Sequence, residues 1–229
     1  RLEIQAISHP IVRTAGQDTR RALASIKWDL RQYTPMGQIL TLTGFARGDV
    51  YHTDQTALTA NPLYQGRQGW HTRGIAAAAA DVSWPLAGPA LGGVQTLTPR
   101  VQFVASPGTS NLAIPNEDSR AVDLEDSNLF ALNRFSGYDR WEDGSRVTWG
   151  AEWSLNVPGF SVQSVIGQSY RLSTKPSIFP QGTGLTDRFS DFVGRTMARV
   201  GRRVDFVHRF RLDKDSLALR RNEIDATVG

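Results

Sequence analysis

Hydrophobic and polar residues alternate one by one through most of this chain. From Arg21 to Tyr33, Ala22, Ala24, Ile26, Trp28 and Leu30 fall on one side of an extended backbone. Arg21, Ser25, Lys27, Asp29 and Arg31 fall on the other, with only Leu23 out of place. Period two over this length predicts a β-strand with one apolar and one polar face, since on a helix the same charges would lie all round the cylinder. Thr34-Pro35-Met36-Gly37 predicts a tight turn. The return strand, Gln38 to Tyr51, sets Leu40, Leu42, Gly44, Ala46 and Val50 against Thr41, Thr43, Arg47 and Asp49. A long polar loop is expected from His52 to Thr72, then a strand from Arg73 to Leu86. Within it the run Ala76–Ala80 would also suit the start of a helix, but Val82, Trp84 and Pro85 favour a strand.

The pattern resumes after a Gly/Pro turn at Gly88–Gly93, with Leu97, Val101, Phe103 and Ala105 on one face. It returns at Val147–Val157, Val162–Tyr170, Asp191–Val200, Val204–Leu212 and Leu217–Thr227. This makes an all-β, antiparallel up-and-down sheet of about ten strands, each near the ten residues that a tilted strand needs to cross a bilayer. Short turns at Thr34, Gly88, Val157 and Gly201 alternate with longer loops at Ile11, His52, Pro107 and Ser173, as in an outer-membrane barrel; the short loop after Leu212 breaks the trend. Trp28, Trp84, Trp149, Trp153, Phe160 and Tyr170 sit on the apolar faces, several near strand ends, where an interfacial aromatic girdle would lie. The competing architecture is a soluble sandwich whose apolar faces bury each other, but soluble strands average only about five or six residues.

One segment does not alternate. Residues 107–145 are too long and polar for an ordinary turn, and dense in charges and aromatics, which suits an ordered element folded into or over a barrel lumen. Its acidic cluster, Glu117, Asp118, Asp123, Glu125 and Asp126, has oxygens for a hard cation but lacks calcium-loop spacing, so pairing with arginine or solvation is expected.

The 229 residues carry a net charge of +4 and no cysteine, so no disulfide or thiolate metal site is available within the chain. No run of about 18 apolar residues predicts a transmembrane helix. Neither G-x-S-x-G nor H-E-x-x-H occurs, the four histidines are scattered, and no enzyme activity, cofactor, metal or nucleic-acid partner is expected. Polar-face charges would line the lumen; among them Arg31, Arg47, Arg100, Arg171, Arg209 and Arg211 are candidates, and pairing with carboxylates of adjacent strands accounts for most such residues. The positive surplus would attract phosphorylated or carboxylated amphiphiles.

The central segment reads Asn116-Glu117-Asp118-Ser119, then Asn128-Leu129-Phe130-Ala131-Leu132-Asn133-Arg134-Phe135-Ser136-Gly137-Tyr138-Asp139-Arg140, with Glu142-Asp143-Gly144 and Arg146. This resembles the signature region of the outer-membrane lipopolysaccharide-assembly family, LptD, also called the organic solvent tolerance family. Gly167–Leu172, Asp187–Asp191 and Leu219–Glu223 resemble later motifs of the family. The similarity runs from about Arg13 to Asp225 and is greatest to alphaproteobacterial members. The resemblance implies an outer-membrane barrel of about 26 strands, of which residues 1–229 would be an internal part of the wall. It also implies an LptE-like lipoprotein plug and a periplasmic Lpt bridge that joins through a jellyroll domain not in this chain. The family's disulfide cysteines are absent here. The implied function is assembly of lipopolysaccharide into the outer leaflet, the glycan in a charged lumen and the lipid leaving sideways. A general porin or another barrel transporter is the alternative, with an outer-membrane lipid enzyme and a soluble sugar-binding sandwich behind it. The motif residues expected to hold the loop are Asn116, Glu117, Asp118, Asn128, Asn133, Arg134, Tyr138, Asp139, Arg140, Asp143 and Arg146, with Asn133, Arg134, Tyr138, Asp139 and Arg140 as its anchors to the wall.

Overall fold

The alternating segments form eleven strands of a single antiparallel sheet, in a computed structural model that describes residues 1–14 and 16–229. They are β1 (Leu2–Ile11), β2 (Asp18–Tyr33), β3 (Ile39–Asp54), β4 (Gly69–Ser83), β5 (Leu86–Ala90), β6 (Gly93–Ser106), β7 (Gly144–Val157), β8 (Phe160–Arg171), β9 (Phe192–Val200), β10 (Val204–Leu212) and β11 (Leu219–Val228). Neighbours in sequence are neighbours in the sheet, except that β4 pairs directly with β6 and the short β5 joins only β6. Among the described residues the sheet is not closed, and β1 and β11 each have one partner.

Three expectations change in detail. The loop expected from His52 to Thr72 is shorter, because His52 and Thr53 still pair with Trp70 and Gly69 and the His52 and Trp70 rings meet at 4.6 Å. What remains holds a 3-10 turn at Thr56–Leu58 and one helical turn at Pro62–Gln65. The turn expected at Gly88–Gly93 contracts to Leu91 and Gly92, both at positive φ (52° and 78°), the pair of conformations that a two-residue hairpin of right-handed twist requires. Its flanks become β5 and the start of β6. Finally, β2 and β3 reach 16 residues and β4 reaches 15, longer than the ten or so expected. The alanine run Ala76–Ala80 lies in β4, paired to β3 throughout.

Register places side chains on two consistent faces, because partners across an antiparallel ladder share a side. Asp29, Thr43, Ala79, Val104, Arg146 and Arg171 form one row of the polar face. Trp28, Gly44, Ala78 and Ala105 form a row of the apolar face. Burial is the reverse of a soluble sheet. On the apolar face Trp28 is 46% exposed, Phe103 42% and Ile166 45%, and no second layer covers them among the described residues. On the polar face Asp49, Arg146 and Thr148 are each at most 2% exposed, because residues 107–143 fold down over them. The few apolar residues that break the polar pattern, among them Leu23, Ile75, Val104 and Val193, are buried on this side. Leu23 is therefore not an irregularity of β2 but part of the floor beneath the loop.

Candidate functional site

The loop from Pro107 to Asp143 has a 3-10 turn at Asn111–Ala113 and otherwise no regular structure. Its backbone polar groups must find partners elsewhere, and charged side chains of the strands supply many of them. Contacts to the wall fall into three groups.

The first sits on β1–β4 and centres on Asp139, whose side chain is fully buried. Its carboxylate accepts hydrogen bonds from Arg21 (2.8 Å), the Tyr51 hydroxyl (2.9 Å) and the backbone N–H groups of Glu117 (2.7 Å) and Asp118 (3.2 Å). Asp118 reciprocates, accepting from Arg21 (2.6 Å) and from the N–H groups of Tyr138 and Asp139 at 3.0 and 3.1 Å. This crossed arrangement requires Gly137, at φ 69°, where a Cβ would stand 2.3 Å from Asp118 Cγ. Beneath it, Arg47 donates to the Tyr138 carbonyl (2.6 Å) and Arg73 to the Tyr138 and Asp139 carbonyls (2.8 and 2.7 Å). Asp49 holds Arg73 in turn, at 2.8 Å from Nε. Glu117 receives the Arg13 guanidinium through two bonds of 3.0 and 2.8 Å. The Tyr138 ring lies near the Arg21 and Arg47 guanidiniums, and its hydroxyl accepts from Gln5 at 2.9 Å. Trp141 stacks on Phe45 with ring centroids 4.9 Å apart.

The second group sits on β6–β8. Arg134 forks onto Glu142 (2.7 and 2.5 Å) and reaches Ser169 Oγ at 3.3 Å. Arg146 of β7 donates to the Ala131 and Leu132 carbonyls at 2.6 and 3.0 Å. Gly150 and Gly167 face each other across β7 and β8 and leave a flat floor on which Leu129 and Phe130 rest. A Cβ on Gly167 would lie 2.5 Å from Leu129 Cδ2.

The third group reaches β9–β11. Asp126 pairs with Arg195 (3.2 Å), Glu125 with Arg221 (2.6 Å), and Asp123 with Arg211 and Arg221. Leu124, Leu129 and Phe135 pack with Phe179 and Leu185 of the next loop and with Val193 of β9. One loop thus braces the sheet from β1 to β11. All five members of the acidic cluster are paired with arginines, as expected.

Electrostatics of the loop follow from this packing. Burial works against ionised Asp118, but Arg21 and the Asp139 and Tyr138 N–H donors outweigh it and hold its pKa below the usual carboxylate range. Burial, reinforced by the nearby Asp118 charge, pushes Asp139 upward. Glu142 is also disfavoured as an anion by burial, yet Arg134 and Arg146 hold its pKa low. Burial lowers Arg140 to about 10 despite the pull of Asp139. Donors so arranged position and lock a segment; no nucleophile–base pair is part of the arrangement described.

The motif residues divide into two groups. Glu117, Asp118, Arg134, Tyr138 and Asp139 touch the wall, Glu117 through the Thr19 hydroxyl of β2, and Arg146 belongs to it. Asn116, Asn128 and Asn133 instead bond within the loop, to Ser119, to Glu125 and Asp123, and to Arg140 and Glu142. Arg140 donates to the Ile114 and Leu63 carbonyls (2.8 and 2.7 Å), and Asp143 accepts the Thr109 N–H (2.9 Å). Asn133 and Arg140, expected as wall anchors, instead make their side-chain hydrogen bonds to loop carbonyls and amides.

Among the strand arginines, Arg31, Arg100, Arg171 and Arg209 lie on the loop-bearing face, with Arg100 on Asp81 (2.8 Å) and Arg209 on Asp225 (3.1 Å). Arg47 and Arg211 share that face but are buried rather than open to water, Arg47 under the Tyr138 carbonyl of this loop and Arg211 under the Gly182 carbonyl of the loop after β8. Toward the short turns the polar face stays open as a cleft of about 1120 Å³, lined by Arg31, Asp81, Arg100, Glu152 and Arg195 among others. Tyr51 and Glu142 are not among the residues that the sequence leads one to expect as holding the loop. The available signal for Tyr51 was its step of two after Arg47 and Asp49, which puts a phenol on a charged face in need of a partner.

Comparison with known proteins gives a consistent result. A family model described as LptD, LPS transport system D, matches residues 2–229. An LPS-assembly protein LptD of Polaromonas sp. is 31% identical over 122 residues, covering 52% of this chain and 14% of that protein. The LPS-assembly protein LptD of Albidiferax ferrireducens is 33% identical over 103 residues, covering 43% of the chain and 13% of the relative. That of Acinetobacter baumannii is 35% identical over 79 residues, covering 34% and 10%. The matches thus span about a seventh or less of these relatives.

Proposed function

The chain belongs to the LptD family, and from that premise we propose that it forms part of the wall of an outer-membrane barrel that assembles lipopolysaccharide into the outer leaflet of a Gram-negative bacterium. The observation that carries the reading is the inverted burial. Hydrocarbon replaces a second protein layer on the face of Trp28, Phe103 and Ile166, and the polar face lines the lumen. Loop 107–143 then lies inside the barrel and fills the long-loop half of the lumen against this wall. The open cleft below it, with charges of both signs, provides hydrated space for sugar and phosphate groups.

Work done by such a wall is binding and guidance, with no covalent step assigned to any residue here. Lipopolysaccharide is the proposed cargo. A plug lipoprotein and a periplasmic bridge are the proposed partners, on the strength of family membership. A porin reading would need an unobstructed pore, and the braced loop favours a closed one.

The test is depletion of the full-length protein in its parent bacterium, followed by labelling of surface lipopolysaccharide. Loss of surface label with lipopolysaccharide accumulating inside supports the proposal. Undiminished surface label after depletion would overturn it.

A further inference from the structure

We propose that the apolar face carries, at its long-loop rim, a binding site for the phosphate headgroup of a membrane lipid, built from Lys175, Ser173 and the apolar side chains of Phe103 and Leu172. These residues line one open cleft of about 490 Å³ between the end of β6 and the loop that follows β8. The inference rests on the proposed membrane orientation, not on any role in lipopolysaccharide transport.

Three observations support it. The chain has three lysines, and two lie on carboxylates: Lys27 on Asp29 and Lys214 on Asp187 and Asp215. Lys175 forms no ion pair among the described residues. Lys175 is exposed to solvent and so open to a ligand. It packs directly over Gly108, where a Cβ would come within 2.6 Å of Nζ, and Arg171 donates to the Lys175 carbonyl, fixing the turn that presents it. Lastly, Phe103 and Leu172 are 42% and 43% exposed immediately beside it, so a cation and a hydroxyl stand at the upper end of a hydrocarbon-facing strip. Ser173 Oγ accepts the Lys175 N–H at 3.3 Å and keeps its own proton for a headgroup oxygen. That layout matches an amphiphile with phosphate at the interface and acyl chains along the wall.

Asp143 shares the cleft and opposes an anion; its Oδ2 accepts the Thr109 N–H at 2.9 Å. Its presence supplies a sign test. The full-length protein is reconstituted in phosphatidylcholine nanodiscs, and amide exchange of residues 107–109 and 172–176 is followed as dioleoyl phosphatidic acid is added. Slowed exchange is expected in the wild type, with the half-effect lipid fraction raised roughly five-fold in Lys175→Ala, the worth of one cation near an anionic headgroup. Lys175→Arg should retain binding, and Asp143→Asn should tighten it. Lys214→Ala serves as the distant control. Equal response in wild type and Lys175→Ala would overturn the site. So would equal protection by inorganic phosphate at the same phosphate concentration, since a soluble ion needs no apolar strip. Failure of the protein to enter nanodiscs would instead refute the membrane orientation.

Discussion

Replacing Asp139 with alanine should release the loop from β1–β4 while leaving the sheet intact. The side chain is fully buried and accepts four hydrogen bonds of 3.2 Å or less. Its loss leaves the Tyr51 hydroxyl and the Glu117 and Asp118 N–H groups without their acceptor, while Arg21 keeps Asp118 at 2.6 Å. A buried donor stranded in this way costs about 1–3 kcal/mol, and breaking one side of a buried ion pair costs about 3–5 kcal/mol. Part of that is recovered, because burial already disfavours the charge, as its upward-shifted pKa records. The lower end, about 3 kcal/mol, is therefore expected, or roughly a 150-fold rise in the local opening constant. Hydrogen exchange of the full-length protein reads it directly, in the amides of 116–119 and 137–141. Asp139→Asn should fall between wild type and alanine, since one acceptor oxygen remains. Folding is checked by heat-modifiable migration on gels. Exchange within threefold of wild type in a folded Asp139→Ala protein would refute the assignment of Asp139 as the centre of the anchor. In cells, the double change Arg134→Ala with Asp139→Ala should raise permeability to bulky antibiotics at normal protein level.

Acid should loosen the Arg134–Glu142 latch. The folded pKa of Glu142 is depressed, so its contribution is complete above the ordinary value of 4.5 and is lost as pH falls through the folded value. Asp139, shifted upward, acts with the opposite sign, so Glu142→Gln should remove the pH dependence of protection at 131–135 and leave that at 116–119. Gly167→Val, which would favour a strand elsewhere, should here lower thermal stability by about 1–3 kcal/mol, because the new side chain meets Leu129; a gain in heat-modifiability midpoint would contradict the packing described. Ile166→Lys, on the bare face in mid-strand, should cost about 2–4 kcal/mol in urea unfolding from bilayers, and Ser154→Lys on the polar face much less. Equal costs would place both faces in the same surroundings.

Strands and faces were legible in the chain because side-chain direction in a β-strand depends only on parity, a property local to a few residues. Ala22, Ala24, Ile26, Trp28 and Leu30 predicted a face without reference to any other strand, and that face is the bare one. The long loop was legible as an interruption of the same period, and its arginine-paired acids as a matter of composition. What the loop touches was not. Asp139 meets Tyr51 across 88 residues of sequence, and Arg221 meets Glu125 across 96. Leu23 looked like an error of pattern until a second surface lay on it, and Arg47 looked open to water until the Tyr138 carbonyl covered it. Asn133 and Arg140 are as polar as Arg134, Tyr138 and Asp139, yet the folded loop pairs them with loop carbonyls and amides rather than with strand residues. Alternation is written residue by residue, whereas the burial of a charge depends on donors brought from distant strands at once, and only the folded sheet supplies them.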